Sequence, residues 1–91
     1  MGKLDDKIAV VTGSGRGIGK AITKLLASEG ASVCINDINE DVASVVAKEI
    51  EESGGNAISC TANVAEREDA QKLMDTVFER YGKLDILVNN A

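Results

Sequence analysis

The chain is predicted to fold as an α/β protein, a parallel sheet with helices on both faces, in the order β-α-β-α-β-α-β. Three observations carry this reading. Short continuous apolar runs alternate with apolar stripes of helical period. Glycine follows each stripe, where a helix is expected to stop. No proline falls anywhere in the 91 residues to break a strand or a helix. Strands that alternate with helices make a parallel sheet, and each crossover should be right-handed.

The elements follow in order. Ile8-Ala9-Val10-Val11 is apolar at every position, which suits a strand covered on both faces. After a glycine-rich turn, Ile18, Ala21, Ile22, Leu25 and Leu26 recur at the spacing of one helix face. Gly30 stands where a left-handed residue ends a helix. Ser32 to Asn36 reads as a second strand centred on Val33, Cys34 and Ile35. A helix from about Glu40 to Ser53 is expected to turn Val42, Val45, Val46 and Ile50 inward, with Gly54-Gly55 as its stop. Ala57 to Ala62 is the third strand. A helix from about Glu66 to Tyr81 carries the stripe Ala70, Leu73, Met74, Val77, Phe78 and Tyr81. Ala65 is a poor N-cap, so its first turn is expected to fray. Gly82 closes that helix, and Ile86-Leu87-Val88 begins a fourth strand.

Composition narrows the function. A net charge of −5, with Lys and Arg scattered singly, argues against nucleic acid, which demands a basic face. No apolar stretch approaches the roughly 18 residues of a membrane span, and no apolar run follows the N-terminus, so a cytoplasmic protein is expected. The chain has no His, the commonest metal ligand and general base. Cys34 and Cys60 are too few for a zinc framework and lie in apolar runs; buried free thiols are expected in preference to a disulfide. No metal site is expected.

The first strand leads directly into Thr12-Gly13-Ser14-Gly15-Arg16-Gly17-Ile18-Gly19, and a helix opens at its end. The N-terminus of a helix offers unpaired N–H groups and the positive end of the macrodipole, which together hold a pyrophosphate. Side chains would keep phosphates away from those donors. Glycines at 13, 17 and 19 let the backbone approach, turn tightly and pack the helix on the strand. Ser14 and Arg16 are expected to add side-chain hydrogen bonds to phosphate or ribose. A glycine string alone can be a flexible loop. Its position between strand and helix, with an acidic residue at the right distance, favours a dinucleotide site.

That acidic residue is Asp37, 18 positions after Gly19 at the end of the second strand. A carboxylate there accepts hydrogen bonds from the adenosine ribose hydroxyls and repels a 2′-phosphate, so NAD is expected rather than NADP. Glu40 and Asp41 add to the repulsion, whereas Arg16 acts against it. The plainer alternative is a local turn residue.

These residues give the chain a resemblance over its whole length to the N-terminal part of the short-chain dehydrogenase/reductase family. The family's Thr-Gly-x-x-x-Gly-x-Gly motif matches Thr12, Gly13, Gly17 and Gly19; its cofactor-selecting acidic position matches Asp37; its Asn-Asn-Ala-Gly motif matches Asn89, Asn90 and Ala91. The Arg16-Gly17-Ile18-Gly19 string is similar to those of 3-oxoacyl-(acyl-carrier-protein) reductases and related sugar or alcohol dehydrogenases. The resemblance implies a Rossmann-type sheet of order 3-2-1-4, with two helices on one face and the third on the other. It also implies Gly15, Ile18, Ile38, Asn63, Val64 and the Asn89 to Ala91 segment as further cofactor contacts.

Two features depart from the family. Asn63-Val64 stands where Asp-Val usually meets the adenine; the amide oxygen keeps an acceptor but not the charge. The catalytic Ser, Tyr-x-x-x-Lys pair and further Asn find no counterpart, since the one tyrosine, Tyr81, is followed four residues later by Asp85. The resemblance therefore implies a partial dinucleotide-binding domain over residues 1–91, part of an enzyme moving hydride between NAD(H) and an alcohol or ketone, and inactive alone. An uncovered fourth strand is expected to drive homo-oligomerisation. The alternatives are a stand-alone, non-catalytic dinucleotide-binding module that self-associates and a structural relic that binds nothing.

Overall fold

The apolar runs become four parallel strands: β1 (Ile8–Val11), β2 (Ser32–Asp37), β3 (Asn56–Thr61) and β4 (Ile86–Val88). Three helices connect them: α1 (Gly17–Ser28), α2 (Glu40–Glu52) and α3 (Arg67–Tyr81). This computed structural model describes residues 2–90. The sheet order is β3-β2-β1-β4, as expected, so the order reverses beside β1. In register, Ala9 lies between Val33 and Ile86, and Val10 between Cys34 and Leu87. Strand and helix ends differ from the sequence reading by a residue or so: β2 extends to Asp37, β3 starts at Asn56 and α3 at Arg67.

Alternation along the strands divides the core in two. Ala9, Val33, Ile35 and Ala57 face α2, with Leu26 and Ala27 of α1 packed beside them. Ile8, Val10, Cys34 and Cys60 face Leu73 and Val77 of α3. Each fully buried Val, Ile or Leu among them contributes about 1.5–3 kcal/mol of transfer free energy. Cys34 and Cys60 are buried free thiols, and burial, with Cys60 alongside, pushes the Cys34 thiol up to about 12.

The helix faces differ from the expected stripes. On α1, Ile18 and Leu25 are 74% and 63% exposed, and the buried residues are Gly19 and Thr23. The reason is steric. A Cβ at Gly19 would stand 2.4 Å from the Gly13 carbonyl oxygen, so the first turns of the helix dock along their small side and turn Ile18 and Leu25 away, while Leu26 stays packed on the core. The Thr23 hydroxyl is satisfied within the helix by donating to Gly19 O at 2.7 Å. On α2 the inward face is Ala43, Val46, Ala47 and Ile50, while Val45 is exposed. On α3, Leu73 and Val77 are inward as expected, but Phe78 lies half in solvent.

The fraying expected at Ala65 also needs correction. The N-cap position is Glu66, without a side-chain cap. The turn before it is tied nonetheless: Ala65 N–H donates to Asn63 Oδ1 and Asn63 N–H to Asp69 Oδ2. Gly30, Gly54 and Gly82 all end helices with positive φ. At the amino ends of β1 and β4, Ile8 N–H donates to Asp85 Oδ2 at 2.8 Å and Asp85 N–H to Ile8 O at 2.9 Å.

Candidate functional site

The carboxyl ends of the strands gather the residues singled out by the sequence. β1 runs into the turn at Thr12, whose hydroxyl donates to the end of β4 at Val88 O and accepts Asn90 N–H at 2.9 Å. Asn90 Nδ2 donates to Gly13 O, so the segment after β4 braces the glycine turn. Asn89 and Asn90 are exposed; Ala91 lies outside the described residues.

The turn is held from below by β2. Ser14 N–H donates to Asn36 O at 2.7 Å, and Asn36 N–H donates to Ser14 Oγ at 2.9 Å. Ser14 is 0% exposed. Its hydroxyl therefore secures the turn to β2. Gly15 packs closely: a Cβ there would meet Val42 Cγ1 at 2.4 Å and Asp37 Oδ2 at 2.6 Å.

Above these residues the backbone is bare. Gly17 has φ +59°, and nothing lies within 4 Å of a Cβ built on it. Arg16 occupies the N-cap of α1 without a capping hydrogen bond, and the first turn holds no acidic residue. The N–H groups of Gly17, Ile18 and Gly19 precede the first helical bond, from Lys20 N–H to Arg16 O at 3.2 Å. The other helices start differently. Asn39 caps Val42 N–H on α2, with Glu40 and Asp41 in its first turn, and α3 opens with Glu68 and Asp69. Of these three helices, α1 alone presents its positive end with no carboxylate in its own first turn.

Asp37 lies beside this turn, 6% exposed. Its Oδ1 accepts Asn39 N–H at 3.1 Å, and the Arg16 guanidinium stands 3.8 Å away. That guanidinium is 68% exposed, so the pair contributes at most about 1 kcal/mol and is free to open. A cavity of about 240 Å³ opens between Gly13 on one side and Ala62, Asn63 and Val64 on the other, with Asn36 and Asp37 at its base and the exposed Ile38 at its rim. This is slightly smaller than a complete ligand pocket of roughly 300–1,000 Å³, as suits part of an elongated ligand. Two larger depressions, about 600 and 680 Å³, lie on the α1–α2 flank and along the β3 edge, away from the glycine turn.

Sequence reasoning missed Asn36. It reads as the polar end of a strand, yet it is 1% exposed, and its amide joins three segments. Oδ1 accepts Gly13 N–H, and Nδ2 donates to Cys60 O and Ala62 O at 3.2 and 3.1 Å. The available signal was a polar residue inside a strand apolar on both faces, since buried amides are hydrogen-bonded. Tyr81 is remote from the site: its hydroxyl donates to Asn56 Oδ1 at the opposite end of the sheet, and burial raises its pKa.

The 7α-hydroxysteroid dehydrogenase of Escherichia coli K12 is 45% identical over 98% of this chain. A solved 7α-hydroxysteroid dehydrogenase complexed with NADH and 7-oxo glycochenodeoxycholic acid superposes with a TM-score of 0.95 at 45% identity over 97% of the chain. A metagenomic short-chain oxidoreductase solved with NADP gives a TM-score of 0.91 at 36% identity, also over 97%. The chain spans 35% of the length of the first, 34% of the second and 40% of the third. A model of the short chain dehydrogenase family matches residues 7–91, from the start of β1 through all the site segments, and the chain belongs to that family.

Proposed function

We propose that this chain binds NAD(H) as the dinucleotide-binding part of an oxidoreductase that transfers hydride between the cofactor and an alcohol or ketone. One observation carries the reading: Gly13 of the glycine turn and Asp37 line one cavity, and Arg16, at the uncapped N-terminus of α1, stands 3.8 Å from the Asp37 carboxylate. The group fits. The space above Gly17 that a Cβ would fill admits a pyrophosphate, whose charge the N–H groups from Gly17 to Gly19 and the helix dipole neutralise. Asp37 accepts the adenosine ribose hydroxyls once Arg16 swings outward. Ile38, Asn63 and Val64 hold the adenine, and Asn89 and Asn90 stand beside the glycine turn where the rest of the dinucleotide would pass, with Ala91 next in sequence as a further contact. The bound dinucleotide supplies or accepts the hydride; these residues bind and orient it. With only part of the contacts in residues 1–91, binding is expected in roughly the high micromolar to millimolar range.

NAD is preferred because a 2′-phosphate would face Asp37, with Glu40 and Asp41 in the next turn. Relatives alone do not choose, since one structure holds NADH and another NADP. Asp37→Ala is therefore expected to shift the NADP-to-NAD affinity ratio toward NADP by about tenfold, some 1.4 kcal/mol. Equilibrium titration with both cofactors measures it, and an unchanged ratio removes Asp37 from the role. A cytoplasmic location fits the two free thiols; among the described residues no helix is long and apolar enough to cross a membrane.

A second reading, a non-catalytic binding module that self-associates, draws support from the β4 edge and its 53% exposed Leu87. NAD turnover with alcohols or ketones favours the first reading, and binding without turnover the second.

A further inference from the structure

We infer that Asn36 sets the width of the adenosine cleft and is a positioning residue for cofactor binding. The cleft has two walls from different parts of the chain: the glycine turn after β1, and the Ala62 to Val64 segment after β3. No strand pairing joins them directly, because β2 lies between β1 and β3. The Asn36 side chain spans the gap. Its Oδ1 takes Gly13 N–H at 3.3 Å on one wall, and its Nδ2 gives both hydrogens to the other, at Cys60 O and Ala62 O. Its backbone meanwhile holds Ser14 through both N–H and C=O. At 1% exposure it has no competing water, so the spacing is rigid. The next residue is Asp37, so the same anchor fixes where the ribose-binding carboxylate leaves the sheet. Other side chains serve poorly. Serine is too short to reach both walls. Aspartate lacks the two donors and would turn its charge on two carbonyl oxygens.

This inference rests on the dinucleotide-binding reading, and one set of titrations separates their failures. NAD and adenosine 5′-monophosphate are titrated by NMR into the full chain, into Asn36→Ser, and into Ile50→Val as a control that loosens the core at the far end of α2. Asn36→Ser is expected to weaken both ligands by about fivefold, the size of one net hydrogen bond, while Ile50→Val leaves them unchanged. Should Asn36→Ser not fold, Ser14→Ala reports instead, since it removes the hydroxyl that grips Asn36 N–H; weaker binding by both ligands supports the inference. Wild-type binding with either folded variant unchanged overturns the role of Asn36 alone. A wild type whose resonances do not move with NAD overturns both the role and the reading beneath it.

Discussion

The Asp85 carboxylate acts as an added rung between β1 and β4, accepting Ile8 N–H while its own N–H donates to Ile8 O. The Ile8 hydrogen bond is the largest influence and holds its pKa below the ordinary carboxylate value; burial opposes it, and Lys83 at 3.2 Å adds to the lowering. The sign of the pH dependence follows. A carboxylate whose folded pKa lies below its unfolded value, about 3.9, stabilises the fold above that value. The contribution is lost as pH falls through the folded pKa. Asp85→Asn keeps an acceptor oxygen but has no charge to lose. Urea denaturation should find the variant less stable than wild type near neutrality, with the gap closing as pH falls below the unfolded value and through the lower folded one. A gap that persists in acid would assign the effect to shape alone.

At the scale of elements, α1 shows why tertiary contact chose a face that periodicity did not. Ile18, Ala21, Ile22 and Leu25 form a regular stripe, yet Gly19 and Thr23 are the residues pressed to the sheet. Gly19→Ala decides between these influences. Alanine favours an isolated helix over glycine by about 0.8–1.0 kcal/mol. Here its Cβ would stand 2.4 Å from Gly13 O and 2.6 Å from Asn90 Nδ2, an overpacking that costs about 1–3 kcal/mol. The variant should therefore be less stable and should lose NAD binding, while Leu25→Lys on the exposed side should change stability by no more than about 0.5 kcal/mol. Chemical denaturation of the two checks the order, and a stabilised Gly19→Ala would contradict the docking of α1.

The same comparison measures how much was legible in the sequence. All four strands were readable because runs such as Ile8–Val11 are apolar at every residue, and parallel strands covered on both faces demand that pattern. The glycine turn and Asp37 were readable because phosphate and ribose recognition fix residue types at a set spacing. The buried faces of α1 and α2 were legible only in part: Leu26, Val46 and Ile50 pack inward as expected, but Gly19, Thr23, Ala43 and Ala47 take places expected of larger apolar residues. Small residues win where backbones approach closely, and that approach is fixed by partners far along the chain. Asn36 was missed, and so was the link from Ser14 to it, for the same reason: that link is a hydrogen bond across 22 residues.

On the scale of the whole molecule, the radius of gyration of 11.6 Å is near the roughly 12 Å expected of a compact chain this long. Compactness does not cover every apolar surface. β4 is an edge strand of three residues, and Leu87 pairs in register with Val10 on the α3 face. The cluster beneath α3 takes residues from β1, β2 and β3 but none from β4, so Leu87 is left 53% exposed. Open strand edges bearing apolar side chains template association, and an added lysine blunts them by requiring a buried charge in any edge-to-edge contact. A polypeptide of these 91 residues is therefore expected to sediment with an average mass that rises with concentration, and Leu87→Lys to return it toward the 9.5 kDa monomer. Leu25→Lys separates the two exposed surfaces, because it charges the outer flank of α1 and leaves the β4 edge intact. Association abolished by Leu25→Lys but untouched by Leu87→Lys would transfer the contact to the α1 flank, and a wild-type monomer at every concentration would mean that the β4 edge is no template.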